Sequence, residues 1–238
     1  MKAIILASGI GKRLLPLTKD KPKSLINVGK KTIIEMQLDN LKENGIKDII
    51  ITTGPFEDKM QLFLREKCPD LNISYVPNPQ YDTTNYIYSL WLTKDLINDD
   101  IILIHGDLVF DKELLKRIIE NKEKNLVAVN KKADVPKKDF KAEIENEIVV
   151  NIGVNNFSKN SFLSMPLYKF SKKDFLAWID EIDLELRNGN LQHYAEDAFN
   201  KISDKIILKP LYFEKELCME IDTKEDLDNA KKLIQTEK

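Results

Sequence analysis

Residues Ala3 to Ala7 (AIILA) are apolar at every position and run straight into Ser8-Gly9-Ile10-Gly11-Lys12-Arg13. Successive side chains of a strand point to opposite faces, so a strand that is apolar throughout needs cover on both sides. A parallel strand inside a layered α/β sheet has that cover. The rest of the chain keeps the same rhythm, short β-branched runs alternating with helical periodicity. Ile49 to Thr53 and Ile101 to Ile104 read as further buried strands. Thr32 and Glu35 form a capping box for a helix whose apolar face is Ile34, Leu38 and Leu41, closed by Gly45. Asp111 is placed to cap a helix facing inward through Leu114, Leu115, Ile118 and Ile119. Thr223 with Asp226 is a second capping box, and Leu227, Ala230 and Ile234 share the face of a closing helix. Ile148, Val150, Ile152 and Val154 alternate as a half-buried strand does. Before them, Asn130 to Glu147 is crowded with lysine and glutamate around a single aromatic residue, Phe140, and predicts an insertion or hairpin over the sheet. No repeat, low-complexity tract or linker divides the 238 residues, so one α/β domain over 1–238 is expected.

Charge limits the partners. Lysine plus arginine (37) nearly cancels aspartate plus glutamate (39), leaving a net charge of −2. Such a chain has no global attraction for nucleic acid or anionic lipid, and any basic function must be local. Cys68 and Cys218 lie far apart, outside any zinc or disulfide spacing. The apolar run after Met1-Lys2 is too short for a signal peptide, and no other run is long enough for a membrane span. A cytoplasmic protein is expected.

The loop after the first strand fits neither familiar phosphate-binding design. In a dinucleotide fingerprint the third glycine would stand where Leu14 stands, and the P-loop spacing is absent. Its physics still favours phosphate. Glycines let backbone N–H groups converge on an anion, while Lys12, Arg13, Lys21 and Lys23 supply charge. One ammonium about 4 Å from a phosphate oxygen is worth roughly 4 kcal/mol at a surface-like dielectric, before desolvation. A flexible, solvated basic loop is the bland alternative.

The order Leu6-Ala7-Ser8-Gly9-Ile10-Gly11-Lys12-Arg13, then Pro16-Leu17-Thr18, then Pro22-Lys23-Ser24-Leu25, resembles the signature of the nucleotidyltransferases that make nucleotide-activated sugars and related small phosphates. The resemblance implies a Rossmann-like fold with a mostly parallel central sheet, flanking helices and a small hairpin over the active site. It implies that Leu6, Ala7, Ser8, Gly9, Gly11, Lys12, Asn85 and Gly106 bind the nucleotide, and that Arg13 and Lys23 neutralise the phosphates at the reacting centre. Ser8 replaces the more usual alanine. Asp107, in His105-Gly106-Asp107 at the carboxyl end of a strand, would be one ligand of a Mg2+ ion, and Asp222 the other. Asp222 also stands at a helix entry, where an acid needs no metal.

Asn85 to Leu90 (NYIYSL) is similar to the small cytidylyltransferases of the CTP:phosphocholine type, with Tyr88 and Leu90 read as a helix's core face. By the same resemblance Glu196 and Asp197 face the amino end of the acceptor; an exposed helical pair of acids is the alternative. Within Asn130 to Glu147 a cage for a quaternary ammonium has only Phe140 to build on, among Lys131, Lys132, Lys137, Lys138 and Lys141. Trp178 and Tyr194 are rings that could contribute from elsewhere, the former read as core. Neither His105 nor His193 belongs to a nucleophilic triad. The implied reaction is transfer of CMP from CTP to a small phosphomonoester or phosphonate, nearest to the members that act on phosphoglutamine in bacterial capsule modification. Phosphocholine, 2-aminoethylphosphonate, sugar-1-phosphate uridylyl transfer and a non-catalytic nucleotide-binding module are the alternatives, and a homo-oligomer is compatible with all of them.

Overall fold

The structure, a computed structural model, describes residues 1–133 and 137–236. Nine strands make one sheet: β1 (Lys2–Leu6), β2 (Asp48–Thr53), β3 (Asn72–Pro77), β4 (Ile101–His105), β5 (Leu126–Asn130), β6 (Lys141–Glu145), β7 (Ile148–Gly153), β8 (Ser161–Phe170) and β9 (Lys209–Phe213). β1 lies between β2 and β4, parallel to both, and β3 extends the parallel half beyond β2. The other half is built on the long β8. Leu167–Phe170 pairs antiparallel with β4, and the start of β8 pairs with β6. β5 also runs antiparallel along β8, with a register shift between Met165 and Tyr168 that spans Pro166, a residue with no N–H for the ladder. The sheet is therefore mixed; β1, β2 and β4 of its parallel half and β7 of the other were read in the sequence, and β3 was not.

Helices α1 (Ile33–Glu43), α2 (Glu57–Lys67) and α4 (Lys112–Glu120) cover one face, and α3 (Tyr86–Trp91), α5 (Lys172–Arg187) and α6 (Ala195–Asn200) the other; α7 (Lys224–Thr236) closes the chain. Ala3 and Ile5 of β1 enter the first core with Ile34, Leu38 and Leu41 of α1. Ile4 and Leu6 enter the second with Ile87, Leu90 and Trp178. The continuous apolar run thus has the two-sided burial it demands. Both capping boxes form. Glu35 N donates to Thr32 Oγ1 at 3.2 Å and Thr32 N to Glu35 Oε2 at 2.7 Å, with the same exchange between Thr223 and Asp226. Gly45, at φ +79°, ends the first helix as expected.

Three local readings are corrected. Asp111 stands at the N-cap of α4, but its carboxylate accepts from Leu217 N at 2.7 Å rather than from the helix. In β7 the strict alternation breaks. Val149 and Ile152 are buried while Ile148 and Val150 are half-buried, because the register against β6 shifts between Val149 and Asn151, and Val154 lies past the strand's end. Tyr88 is also outside the core, stacked on Trp91 at 5.6 Å, whereas Leu90 is buried. The hairpin expected before residue 147 is present as β6 and β7, turning at Asn146 and Glu147, and it joins the edge of the sheet. Its lead-in, 137–140, is described; residues 134–136 of the lysine-rich stretch lie outside the described residues. No helix among the described residues is long and apolar enough to cross a membrane.

Candidate active site

The carboxyl ends of β1, β2 and β4 lie side by side, and the chain passes between them with almost no clearance. Gly106 N donates to Leu6 O at 2.9 Å, and a Cβ at Gly106 would stand 2.8 Å from both Leu6 O and the Cβ of Ala7. A Cβ at Gly54, just past β2, would be 2.2 Å from Ser8 O. Both glycines are required by close approach of backbones. Gln37 of α1 sits beneath the β4 turn, its amide donating to His105 O at 2.9 Å and Leu108 O at 2.7 Å, which fixes where Asp107 leaves the sheet.

Gly11 takes the left-handed region (φ +70°), and its carbonyl accepts from Thr18 Oγ1 at 2.9 Å. A Cβ on Gly11 would meet Lys23 Cβ at 3.0 Å, so the turn packs against the lysine stem. Lys23 Nζ then lies 2.7 Å from Asp107 Oδ2 and 2.7 Å from Asp222 Oδ1, and Arg13 Nη2 lies 2.8 Å from the same Asp222 oxygen. Asp222 reaches this point through a short ribbon in which Leu108–Phe110 pairs antiparallel with Cys218–Glu220, Glu220 opposite Leu108, and Ile221 N donates to Asp107 O at 2.9 Å. Beneath the ribbon Leu14, Val109, Ile221 and Leu227 form a small core that locks α7 to the glycine loop. Burial alone would lower the Lys23 pKa, but Asp107 and Asp222 outweigh it and hold the ammonium above its ordinary value. Asp222 mirrors this. Burial favours its neutral form, yet Lys23 and then Arg13 hold its carboxyl below the usual range.

The residues present fit a hard divalent cation. Asp107 Oδ1 is buried without a hydrogen-bond partner among the described residues, and carboxylate oxygen is the donor Mg2+ takes. Ligand atoms of His105, Asp107 and Glu220 lie within 4.8 Å of one another. Burial pushes the Glu220 carboxyl up, and His105, 3.7 Å away, opposes that rise. Glu220 and His105 were not singled out as site residues in the sequence. The only signal was their position two residues before Asp222 and two before Asp107.

A cavity of about 220 Å³ opens beside these groups, bordered by Ser8, Gly9, Asn78, Asn85, Tyr86 and Asp107. Ser8 Oγ shares a hydrogen with Ser89 Oγ at 2.7 Å, and Asn78 Nδ2 donates to Ser89 at 2.9 Å, tying the loop to α3. Asn85 caps α3, accepting from Tyr86 N at 2.8 Å, and its amide donates to Gln192 O at 3.2 Å. Leu6 lines the cavity and Ala7 continues β1, while Lys12 is exposed at the loop's rim.

Tyr86 is the wall residue that sequence reasoning missed. Its ring meets His105 edge-on at 4.6 Å and Tyr194 at 5.8 Å, and Phe140 stands edge-on to Tyr194 at 4.9 Å. Glu196 is 1% exposed, so it is no exposed acid; one of its oxygens accepts from the Tyr86 hydroxyl and the other from Tyr168 at 2.8 Å. Asp197 accepts from Tyr194 N at 2.8 Å at the start of α6 and borders a second, polar cavity of about 390 Å³ with Gln192, His193 and Tyr194. His193 is engaged by Glu185 at 2.9 Å, and Trp178 is core, its indole donating to Ala195 O.

A family model of nucleotidyl transferases matches residues 2–146. The chain is 28% identical over 210 residues to the CTP:phosphoglutamine cytidylyltransferase of Campylobacter jejuni, covering 80% of this chain and 82% of that protein. Over 110 residues, 46% of each chain, it is 40% identical to the choline-phosphate cytidylyltransferase of Streptococcus pneumoniae. In fold it is similar to the solved CTP:phosphocholine cytidylyltransferase of Streptococcus pneumoniae, with a TM-score of 0.80 at 24% identity over 98% of each chain. The inositol-1-phosphate CTP transferase of T. maritima gives 0.81 at 22% identity, over 98% of this chain and 94% of that one.

Proposed function

Because the chain belongs to the nucleotidyl transferase family, we propose that it transfers CMP from CTP to a small phosphate-bearing acceptor and releases pyrophosphate. The observation that carries this reading is the single ammonium of Lys23 held between Asp107 and Asp222 at the mouth of a glycine turn, with Arg13 alongside. An anionic acceptor oxygen attacks the α-phosphorus in line; the new O–P bond forms as the bond to the β-phosphate oxygen breaks, and the electron pair leaves with pyrophosphate. The acceptor phosphate is ionised at neutral pH, so no general base is needed. The obstacle is repulsion between two anions, and fixed positive charge with positioning removes it. Asp107 and Asp222 would hold Mg2+, with Glu220 near enough to Asp107 to join it, and the bound ion would add positive charge at the phosphates.

The acceptor we favour is an amino-acid phosphate, phosphoglutamine, with its product used in modifying cell-surface polysaccharide. The similarity to the Campylobacter jejuni enzyme over most of both chains supports it. Phosphocholine is the second reading, favoured by the ring set Tyr86, Tyr194 and Phe140, since a methylated ammonium gains from aromatic faces. Pyrophosphate release decides between them. CTP or UTP is offered with phosphoglutamine, phosphocholine, 2-aminoethylphosphonate or glucose 1-phosphate, with Mg2+ and with EDTA. Release with CTP, Mg2+ and phosphoglutamine, abolished by EDTA, is the expected result. Preference for UTP, or nucleotide binding without release under every condition, would overturn it.

A further inference from the structure

One member of the lysine-rich stretch does not face solvent. Lys141 is 0% exposed, and among the described residues no carboxylate forms an ion pair with it. Burying a charge is costly unless its donors are met. An ammonium has three, and here three carbonyls receive them: Lys137 O at 3.2 Å, Asp139 O at 2.7 Å and Val154 O. The ring of Phe157 covers the charge at 4.3 Å. Asn156 donates to the carbonyl of Lys141 itself at 3.2 Å. One side chain therefore binds residues 137–141 to residues 154–157, the segments that enter and leave the β6–β7 hairpin.

Both segments border the rings and the second cavity around Tyr194, where the proposed function puts the acceptor. Phe140, the neighbour of Lys141, meets Tyr194 edge-on, and Tyr194 leans on Tyr86 at the wall of the nucleotide cavity. Val154 and Asn156 share the second cavity with Tyr194 and Asp197. Lys138 is close enough to Asp222 for its charge to be felt there.

We propose that Lys141 is a positioning residue for the acceptor: its buried ammonium staples the 137–140 turn to the 154–157 loop, and so sets the wall that Phe140 and Tyr194 present to the acceptor. The nucleotide side is held mainly by other contacts, those of Gly11 with Lys23, of Lys23 with Asp107 and Asp222, and of Ser8 with Ser89. The kinetic part of this inference rests on the cytidylyl-transfer reading; the structural part does not.

Lys141→Met keeps the unbranched stem to within one atom of its length and removes its donors. In the ligand-free protein, backbone amides of residues 137–140 and 154–157 exchange hydrogen faster in this variant while those of the Gly9–Gly11 turn are unchanged. In pyrophosphate release, KM for the acceptor that wild type uses rises about tenfold, the factor carried by one lost contact of ordinary strength, and KM for CTP stays within about twofold. Unchanged exchange in the two segments, or equal rises in both KM values, overturns the proposal. If Lys141→Met does not fold, Phe140→Ala decides: a rise confined to acceptor KM supports the staple's role, and an unchanged acceptor KM overturns it. Were wild type to release no pyrophosphate with any acceptor, cytidylyl transfer would be the idea that fails, and the exchange result would still decide the staple.

Discussion

Lys23 concentrates the electrostatics of the site in one ammonium, flanked by two carboxylates at 2.7 Å. Removal of one preorganised charge donor costs about 10²-fold or more in turnover. Lys23→Met is expected to lose at least that much in pyrophosphate release, and unchanged turnover would remove Lys23 from the mechanism. Asp222 adds a pH dependence. Its folded pKa lies below its unfolded one because Lys23 and Arg13 outweigh its burial. The stability it contributes is present above the ordinary aspartate range and is lost as pH falls through the lowered folded value. Asp222→Asn should flatten this acid limb in urea midpoints measured from neutral pH downward; an unchanged limb would mean the ion pair contributes nothing to folding. Lys23, Arg13, Asp107 and Asp222 were legible because their residue types stand in a long motif or at a strand end. Tyr86 was not, and neither was the burial of Glu196, which the sequence had placed at the acceptor. Their hydroxyl–carboxylate contact joins residues 110 apart, and nothing local to either marks it.

At the level of elements, what is written in adjacent residues was readable. Both capping boxes, the glycine stop of α1 and the parallel strands follow from neighbours a few positions apart. The β7 bulge was hidden because alternation is a property of one strand, whereas a register shift belongs to a pair. Asp111 failed as a side-chain cap for a related reason. A ribbon formed with residues more than a hundred positions away supplied a nearer donor, Leu217 N. The second capping box gives a test that links an element to chemistry, since Thr223 adjoins Asp222. Thr223→Ala removes the hydroxyl that accepts from Asp226 N and should cost about 1 kcal/mol of stability. It should also lower turnover, because the start of α7 is what holds Asp222 against Lys23. A stability loss with full activity would separate the cap from the site.

Across the whole molecule, the two halves of the sheet divide the work. The parallel half delivers the glycine turn, Asp107 and the cavity proposed for the nucleotide at the ends of β1, β2 and β4, while the antiparallel half built on β8 delivers Phe140 through β6 and supports α6 with Tyr194. Tyr86 stands where they meet, with His105 on one side and Tyr194 on the other. A disturbance confined to the parallel half should therefore be felt by the nucleotide before the acceptor, and Gly54 offers one. An added Cβ there would lie 2.2 Å from Ser8 O, and the atom it meets is backbone, which cannot swing aside. Gly54→Ala must push the end of β2 away from the glycine loop, an overpacking that costs about 1–3 kcal/mol. The expected outcome is a lower urea midpoint together with a raised KM for CTP and an acceptor KM near that of wild type. If both KM values rose together, the loop and the acceptor wall would be one mechanical unit, and the separation between halves would be a feature of topology alone.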